Sequence, residues 1–266
     1  MGGREAVGSG AGDPVLRVEH LTKVYEDGTR ALSDVSFEVA RGEFLVIIGL
    51  SGSGKSTLLR CINRLVAPTS GRVVVDGRDV TAASREDLRE IRRGIGMIFQ
   101  QFNLVRRASV LTNVLAGRLG YVPPAWSLAN YFPAPVMDRA MRSLERVGIA
   151  DKAFGRASAL SGGQQQRVGI ARALMQEPRL VLADEPVASL DPALSHSILK
   201  YLEALNRTDG ITVLCCLHFL SLARRYGTRI LALKDGRIVF EGRPGDIDEA
   251  RFREIYGRDA EEVEIT

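Results

Sequence analysis

Apolar and polar residues alternate where the chain first becomes informative. VLRVEH (15–20) and DVSFEVA (34–40) place every second side chain on an apolar face, with an Asp27-Gly28 turn between them. That period of two predicts a pair of antiparallel strands with one buried face. The pattern changes after Arg41-Gly42: FLVIIG (44–49) is apolar without alternation, as in a strand covered on both faces. Similar runs recur at GIGMIF (94–99), RLVLAD (179–184), ITVLCCL (211–217) and RILALKDG (229–236), with helical spacing at 56–63 and 192–206. Strands alternating with helices predict an α/β core with a mainly parallel sheet. Residues 101–177 differ, because SVLTNVLAG, MDRAMRSLERVG and the segment after Ser161 carry helical spacing and no strong strand run. Pro123-Pro124, Pro133 and Pro135 interrupt this stretch, which reads as a helical insertion between two parts of the core. Residues 1–13 read as a flexible tail, and 257–266 as a loose acidic end.

Composition narrows the classes. The longest apolar stretch, 44–50, falls far short of the ~18 residues of a membrane-spanning helix. The polar, Gly-rich start does not read as a secretory signal. Net charge is +4, and 31 of the 36 basic residues are Arg, spread along the whole chain. A scattered excess is a solvated surface, so nucleic acid is not expected as a partner. Cys61, Cys215 and Cys216 form no disulfide framework and no CxxC spacing, which points to a reducing, cytoplasmic compartment.

The strand FLVIIG runs into Gly49-Leu50-Ser51-Gly52-Ser53-Gly54-Lys55-Ser56-Thr57 and then a helical LLRCIN, fitting GxxxxGK(S/T) in its strand–loop–helix context. Glycines let successive N–H groups turn toward phosphate oxygens, and the helix start adds its positive dipole end. Lys55 is expected on the β- and γ-phosphates and Ser56 on Mg²⁺, with a nucleoside triphosphate as ligand. RLVLADEP ends an apolar strand in Asp184-Glu185, at the end of an α/β sheet where ligands bind. Asp184 would then help hold Mg²⁺, directly or through water, and Glu185 would polarise an attacking water as general base. His218 ends ITVLCCLH: taken alone it reads as structural, and beside the phosphates it could contact the γ-phosphate. Neither His20 nor His196 is assigned a role. Asn206-Arg207-Thr208-Asp209 faintly resembles a GTPase base-reading motif, but it carries Arg for Lys, precedes a strand, and no DxxG follows a strand at the magnesium position.

Ser161-Gly162-Gly163-Gln164 opens a second helix with the composition of an anion-binding N-terminus. LSGGQ followed by QQRVGIARAL and LADEP resembles the signature of ATP-binding cassette ATPases, and five motifs stand in that family's order over about residues 15–256. The resemblance implies a P-loop NTPase (RecA-like) core at 14–100 and 178–256, with an N-terminal antiparallel β subdomain and a helical subdomain at 101–177. It implies that Tyr25 stacks on adenine and that Gln100 touches Mg²⁺ and the water. It also places Ser189-Leu190-Asp191 along a subunit interface and His218 at the γ-phosphate. Two copies would pair head to tail, with Ser161, Gly162, Gly163 and Gln164 of one closing over ATP held at Lys55 of the other.

FNLVRRASVLTNVLAGRLGY, the segment around Trp126, VASLDP, KDGRIVFEGRP and REIYG are similar to the ATP-binding subunits of phosphonate importers. That similarity implies separate membrane permease subunits, a periplasmic or lipid-anchored binding protein, and a peripheral position on the cytoplasmic face of the membrane. At Phe219 and Ser221 the chain departs from that group, which carries glutamine and an acid there. An importer of polar amino acids would share the catalytic residues, and a soluble cassette acting on ribosomes or DNA would share the ATP chemistry.

Overall fold

The computed structural model describes residues 13–123 and 132–257. The expected tail apart from Asp13, the Trp126 segment and the acidic end beyond Gly257 lie outside the described residues.

The first alternation folds as β1 (Leu16–Val24) and β2 (Arg30–Val39), antiparallel, with Leu16 opposite Val39 and Val18 opposite Phe37. Their register slips beyond Val18, around His20 and Asp34, which adopt positive φ of 49° and 57°. β3 (Phe44–Ile48) opens a second sheet and runs through a loop into α1 (Lys55–Ile62). The chain then returns to the first sheet with β4 (Ser70–Val75) and β5 (Arg78–Asp79), giving the order β2-β1-β4-β5. α2 (Arg85–Arg93), capped by a Ser84 side chain that accepts from the Asp87 amide, leads into β6 (Ile95–Ile98).

Between β6 and β7 (Leu180–Ala183) the described residues contribute to neither sheet. They form α3 (Val110–Leu115), α4 (Ala134–Arg146) and α5 (Gly162–Leu174). Pro135 lies in the first turn of α4, where a missing amide costs nothing, so the prolines mark the break at which this helix starts. The chain finishes with α6 (Pro192–Asp209), β8 (Thr212–Cys216), α7 (Leu220–Tyr226), β9 (Arg229–Lys234), β10 (Arg237–Gly242) and α8 (Glu249–Tyr256). No helix of the described residues is long and apolar enough to cross a membrane.

The second sheet runs β10-β9-β3-β8-β7-β6, parallel except for β10, which forms a hairpin with β9 through Asp235-Gly236 at positive φ. β3 shows why its run lacks alternation. Phe44, Val46 and Ile48 enter an apolar cluster with α3–α7, while Leu45 and Ile47 enter another with β1, β2 and α1. The parallel strands therefore point their carboxyl ends the same way, and the polar residues that follow β3, β6, β7 and β8 meet at one edge.

The Asn206 of the GTPase-like tetrapeptide does structural work. It is buried, and its amide donates to the carbonyls of Gly42 at 2.9 Å and Ile211 at 2.8 Å, tying the end of α6 to the turn before β3. Asn206→Leu strands both carbonyls and is expected to cost ~1–3 kcal/mol in urea denaturation. An unchanged midpoint would contradict that tie.

Candidate nucleotide-binding and hydrolysis site

The loop between β3 and α1 has a conformation that its glycines permit. Gly49, Gly52 and Gly54 sit at φ of 145°, 79° and 105°. Space matters as well as dihedral, since a Cβ on Gly54 would lie 2.4 Å from the Ala31 carbonyl oxygen. Gly54 stands at the N-cap of α1 and offers no side chain to the helix amides, which leaves them for an anion. Inside the loop, the Ser53 hydroxyl is buried with no hydrogen-bond partner, while Ser51 and Gly52 are exposed at its mouth. A buried, unsatisfied donor inside a curl of amides is what a phosphate oxygen would complete. The Tyr25 hydroxyl lies 3.2 Å from Thr57 Oγ1, so the exposed aromatic of β1's far end stands at the start of α1.

Lys55 is buried. Its ammonium donates to the carbonyls of Gly49 at 2.8 Å and Leu50 at 3.0 Å, and lies 3.6 Å from Glu185 Oε1. The opposite oxygen of Glu185 accepts from His218 Nε2 at 2.7 Å. Glu185 thus sits between two cationic or hydrogen-bonding groups, at a φ of 50° that a non-glycine residue seldom adopts. The His218 hydrogen bond is the main reason that its carboxyl is held below the ordinary range; burial opposes this, and Lys55 assists. Asp184 behaves oppositely. Burial raises its pKa, partly offset by the hydrogen bond it accepts from Ser56 Oγ at 2.7 Å and by Arg60, 3.6 Å from its other oxygen.

The adjacent strands explain this convergence. Ala183 pairs with Cys215 and with Ile98, and Asp184 N donates to Ile98 O at 2.9 Å, which puts the acid pair between the ends of β6 and β8. Leu217 N donates to Ile47 O at 2.9 Å, which sets His218 beside the phosphate loop. Gln100, two residues beyond β6, is exposed at the same edge.

The second set of expected residues stands apart. Ser161 caps α5: its hydroxyl accepts from the Gln164 amide at 3.4 Å, and Gln164 Oε1 accepts from the Ser161 amide at 3.0 Å. Gly162 and Gly163 form the first turn, where a Cβ on Gly163 would collide with Leu194. Asp191 caps α6 by accepting from the Leu194 amide at 3.0 Å. Among the described residues no hydrogen bond or ion pair joins residues 161–164 to the phosphate loop. Arg60 was not among the sequence candidates. It follows Ser56 by one helical turn, and that spacing was the available signal.

Ser56 Oγ and Asp184 Oδ1 are hard oxygen donors side by side. Mg²⁺ takes one or two protein oxygens and completes its shell with phosphates and water, so this pair fits it.

The sequence pattern of the ABC transporter family matches residues 32–188. The phosphonates import ATP-binding protein PhnC of Bdellovibrio bacteriovorus is 55% identical over 94% of this chain and 97% of its own length. PhnC 3 of Halalkalibacterium halodurans, also a phosphonates import ATP-binding protein, is 49% identical over 94% and 97%. Among solved structures, a dimeric ATP-binding cassette in a post-hydrolysis state with ADP and Pi aligns with a TM-score of 0.77 and 37% identity, over 86% of this chain and 98% of that one. Clostridium perfringens cbiO1, part of an ABC transporter complex, aligns with a TM-score of 0.76 and 32% identity, over 91% and 94%. With fold, phosphate loop, acid pair and relatives in agreement, the chain belongs to the ABC transporter family as one of its ATP-binding cassettes.

Proposed function

We propose that this chain is the ATP-hydrolysing subunit of a phosphonate importer, working as a pair of cassettes beneath a separate permease. The observation that carries the chemistry is Glu185 held between Lys55 and His218 at the mouth of a phosphate-binding loop. The substrate class rests on the two phosphonates import relatives, which match nearly the whole chain.

Lys55 donates to two loop carbonyls and lies beside Glu185. Its ammonium would bind phosphate oxygens of ATP, and the loop amides and the Ser53 hydroxyl would take further phosphate contacts. His218, set beside the loop by β8, would contact the γ-phosphate. Glu185, which Lys55 and His218 flank, would accept the proton of the attacking water. Mg²⁺, held by Ser56 and Asp184 with Gln100 nearby, would neutralise charge on the transferring phosphoryl group. Tyr25 supplies a face for adenine.

The Ser161 cap at the start of α5 is separate from the chain's own phosphate loop, so in this reading residues 161–164 serve the ATP of a second copy, with Asp191 along the shared face. Hydrolysis then requires pairing, and pairing can be coupled to a permease that receives phosphonate from an external binding protein. The chain works peripherally at the cytoplasmic face of the membrane, and nucleic acid has no part in this cycle.

Deleting the gene in a strain with no second phosphonate importer should abolish growth on a phosphonate as sole phosphorus source, and restoring it should recover growth. Normal growth of the deletion strain would sink the phosphonate reading. Recovery by an inactive Glu185→Gln allele would sink the coupling to ATP.

A further inference from the structure

His218 stands in the bend between β8 and α7 and belongs to neither element. Its side chain is 33% exposed, so packing alone does not fix where the ring points. The main chain is held from two sides. Leu217 N donates to Ile47 O at 2.9 Å, and the Tyr256 hydroxyl donates to the His218 carbonyl at 3.2 Å. The first bond fastens the bend to β3. The second comes from the far end of α8, 38 positions along the chain.

α8 holds that hydroxyl in place. Asp248 caps the helix by accepting from the Arg251 amide at 2.8 Å. Phe252 and Ile255 are buried in the apolar cluster that also takes Leu217 and Leu220, which flank the bend. Phe252 and Tyr256 lie one turn apart, with ring centroids 4.9 Å from each other and planes inclined at 33°, so the tyrosine ring has its own support. Lys234 Nζ donates to the Glu254 carbonyl at 2.6 Å and ties the helix to the end of β9.

The imidazole has two tasks in the reading above. Its Nε2 lies 2.7 Å from Glu185 Oε2, and with ATP bound the ring would contact the γ-phosphate. Both tasks require a Cα that stays in place while the ring turns about its two side-chain torsions. A peptide group released by Tyr256 can rotate, and a misplacement of about 1 Å at a reacting group can cost about 10²-fold in rate.

We infer that Tyr256 is a positioning residue for ATP hydrolysis: its hydroxyl fixes the main chain at His218 and so aims the imidazole at Glu185 and the γ-phosphate. The inference rests on the role of His218 proposed above; the tether itself rests on the geometry of α8.

Tyr256→Phe removes one oxygen and keeps the ring on Phe252, so α8 should stay folded and the thermal midpoint should move little. In the assembled transporter this variant should lower kcat about threefold to tenfold and leave KM for ATP within about twofold, because Lys55 and the loop amides still take the phosphates. The chain has three histidines, His20, His196 and His218, so ring carbon–proton NMR spectra of the full chain separate them, with His218→Ala assigning the third signal. Tyr256→Phe should shift or broaden the His218 signal alone. A kcat within about twofold of the parent would overturn the positioning role. So would a slowed variant whose His218 signal stays in place, or three signals moving together with a falling melting temperature. His218→Ala separates the two readings. If it turns over normally, the assignment of His218 to hydrolysis fails and takes this one with it. If it is slow while Tyr256→Phe is normal, the role of Tyr256 alone fails.

Discussion

Replacing Glu185 with Gln should lower phosphate release by about 10²–10⁴-fold, the range for loss of a positioned general base. The amide keeps the size of the carboxylate and an oxygen to accept from His218, now at 2.7 Å, so the loop conformation should survive. What disappears is the capacity to take a proton from water. ATP binding should persist, because the phosphate contacts come from Lys55, the loop amides and Ser53, and one negative charge near the polyphosphate has been removed. Fluorescent-nucleotide binding and gel filtration with ATP should therefore show an occupied, paired protein that does not turn over. Normal phosphate release from this variant in the assembled transporter would show that Glu185 is not the base.

Gly54→Ala should damage the phosphate loop severely. The added carbon would lie 2.4 Å from the Ala31 carbonyl and 3.1 Å from Leu32 Cδ2, at a φ of 105°. Both backbone strain and collision act there, for an expected ~2–4 kcal/mol and loss of ATP binding as the α1 N-terminus turns away. Gly52→Ala is the control. Its φ of 79° is also strained, but no atom lies within 4 Å of the new carbon, so only the dihedral penalty of ~1–2 kcal/mol applies. Thermal melts and nucleotide titrations of the pair separate the two causes. Equal effects would mean that contact with Ala31 is irrelevant.

The apolar pattern marked β1, β2, β3, β6, β7, β8 and β9 because each buries one or both faces continuously, which leaves a local record. α2 left little: REDLREIRR carries only Leu88 and Ile91 as apolar residues, and its structural support is the Ser84 cap and contact with the sheet. β4 and β5 were equally quiet, since SGRVVV opens on three exposed residues and the two-residue β5 has no period at all. Prolines 133 and 135 marked a break between helices, because proline disrupts a helix interior and suits its first turn.

At the site, the loop 49–57, the acid pair and the LSGGQ run could be read directly, because phosphate binding requires particular residue types at fixed local spacing. The meeting of those segments was not local. Lys55 reaches Glu185, and Glu185 reaches His218, only because β3, β8 and β7 lie side by side in a parallel sheet whose order departs from chain order. The left-handed backbone of Glu185 and the Arg60 contact to Asp184 arise the same way. Chemical identity and local spacing are written residue by residue along the chain. Distances, burial and the direction in which the Glu185 and Asp184 pKa values move depend on neighbours distant along the chain, supplied by packing of the sheet.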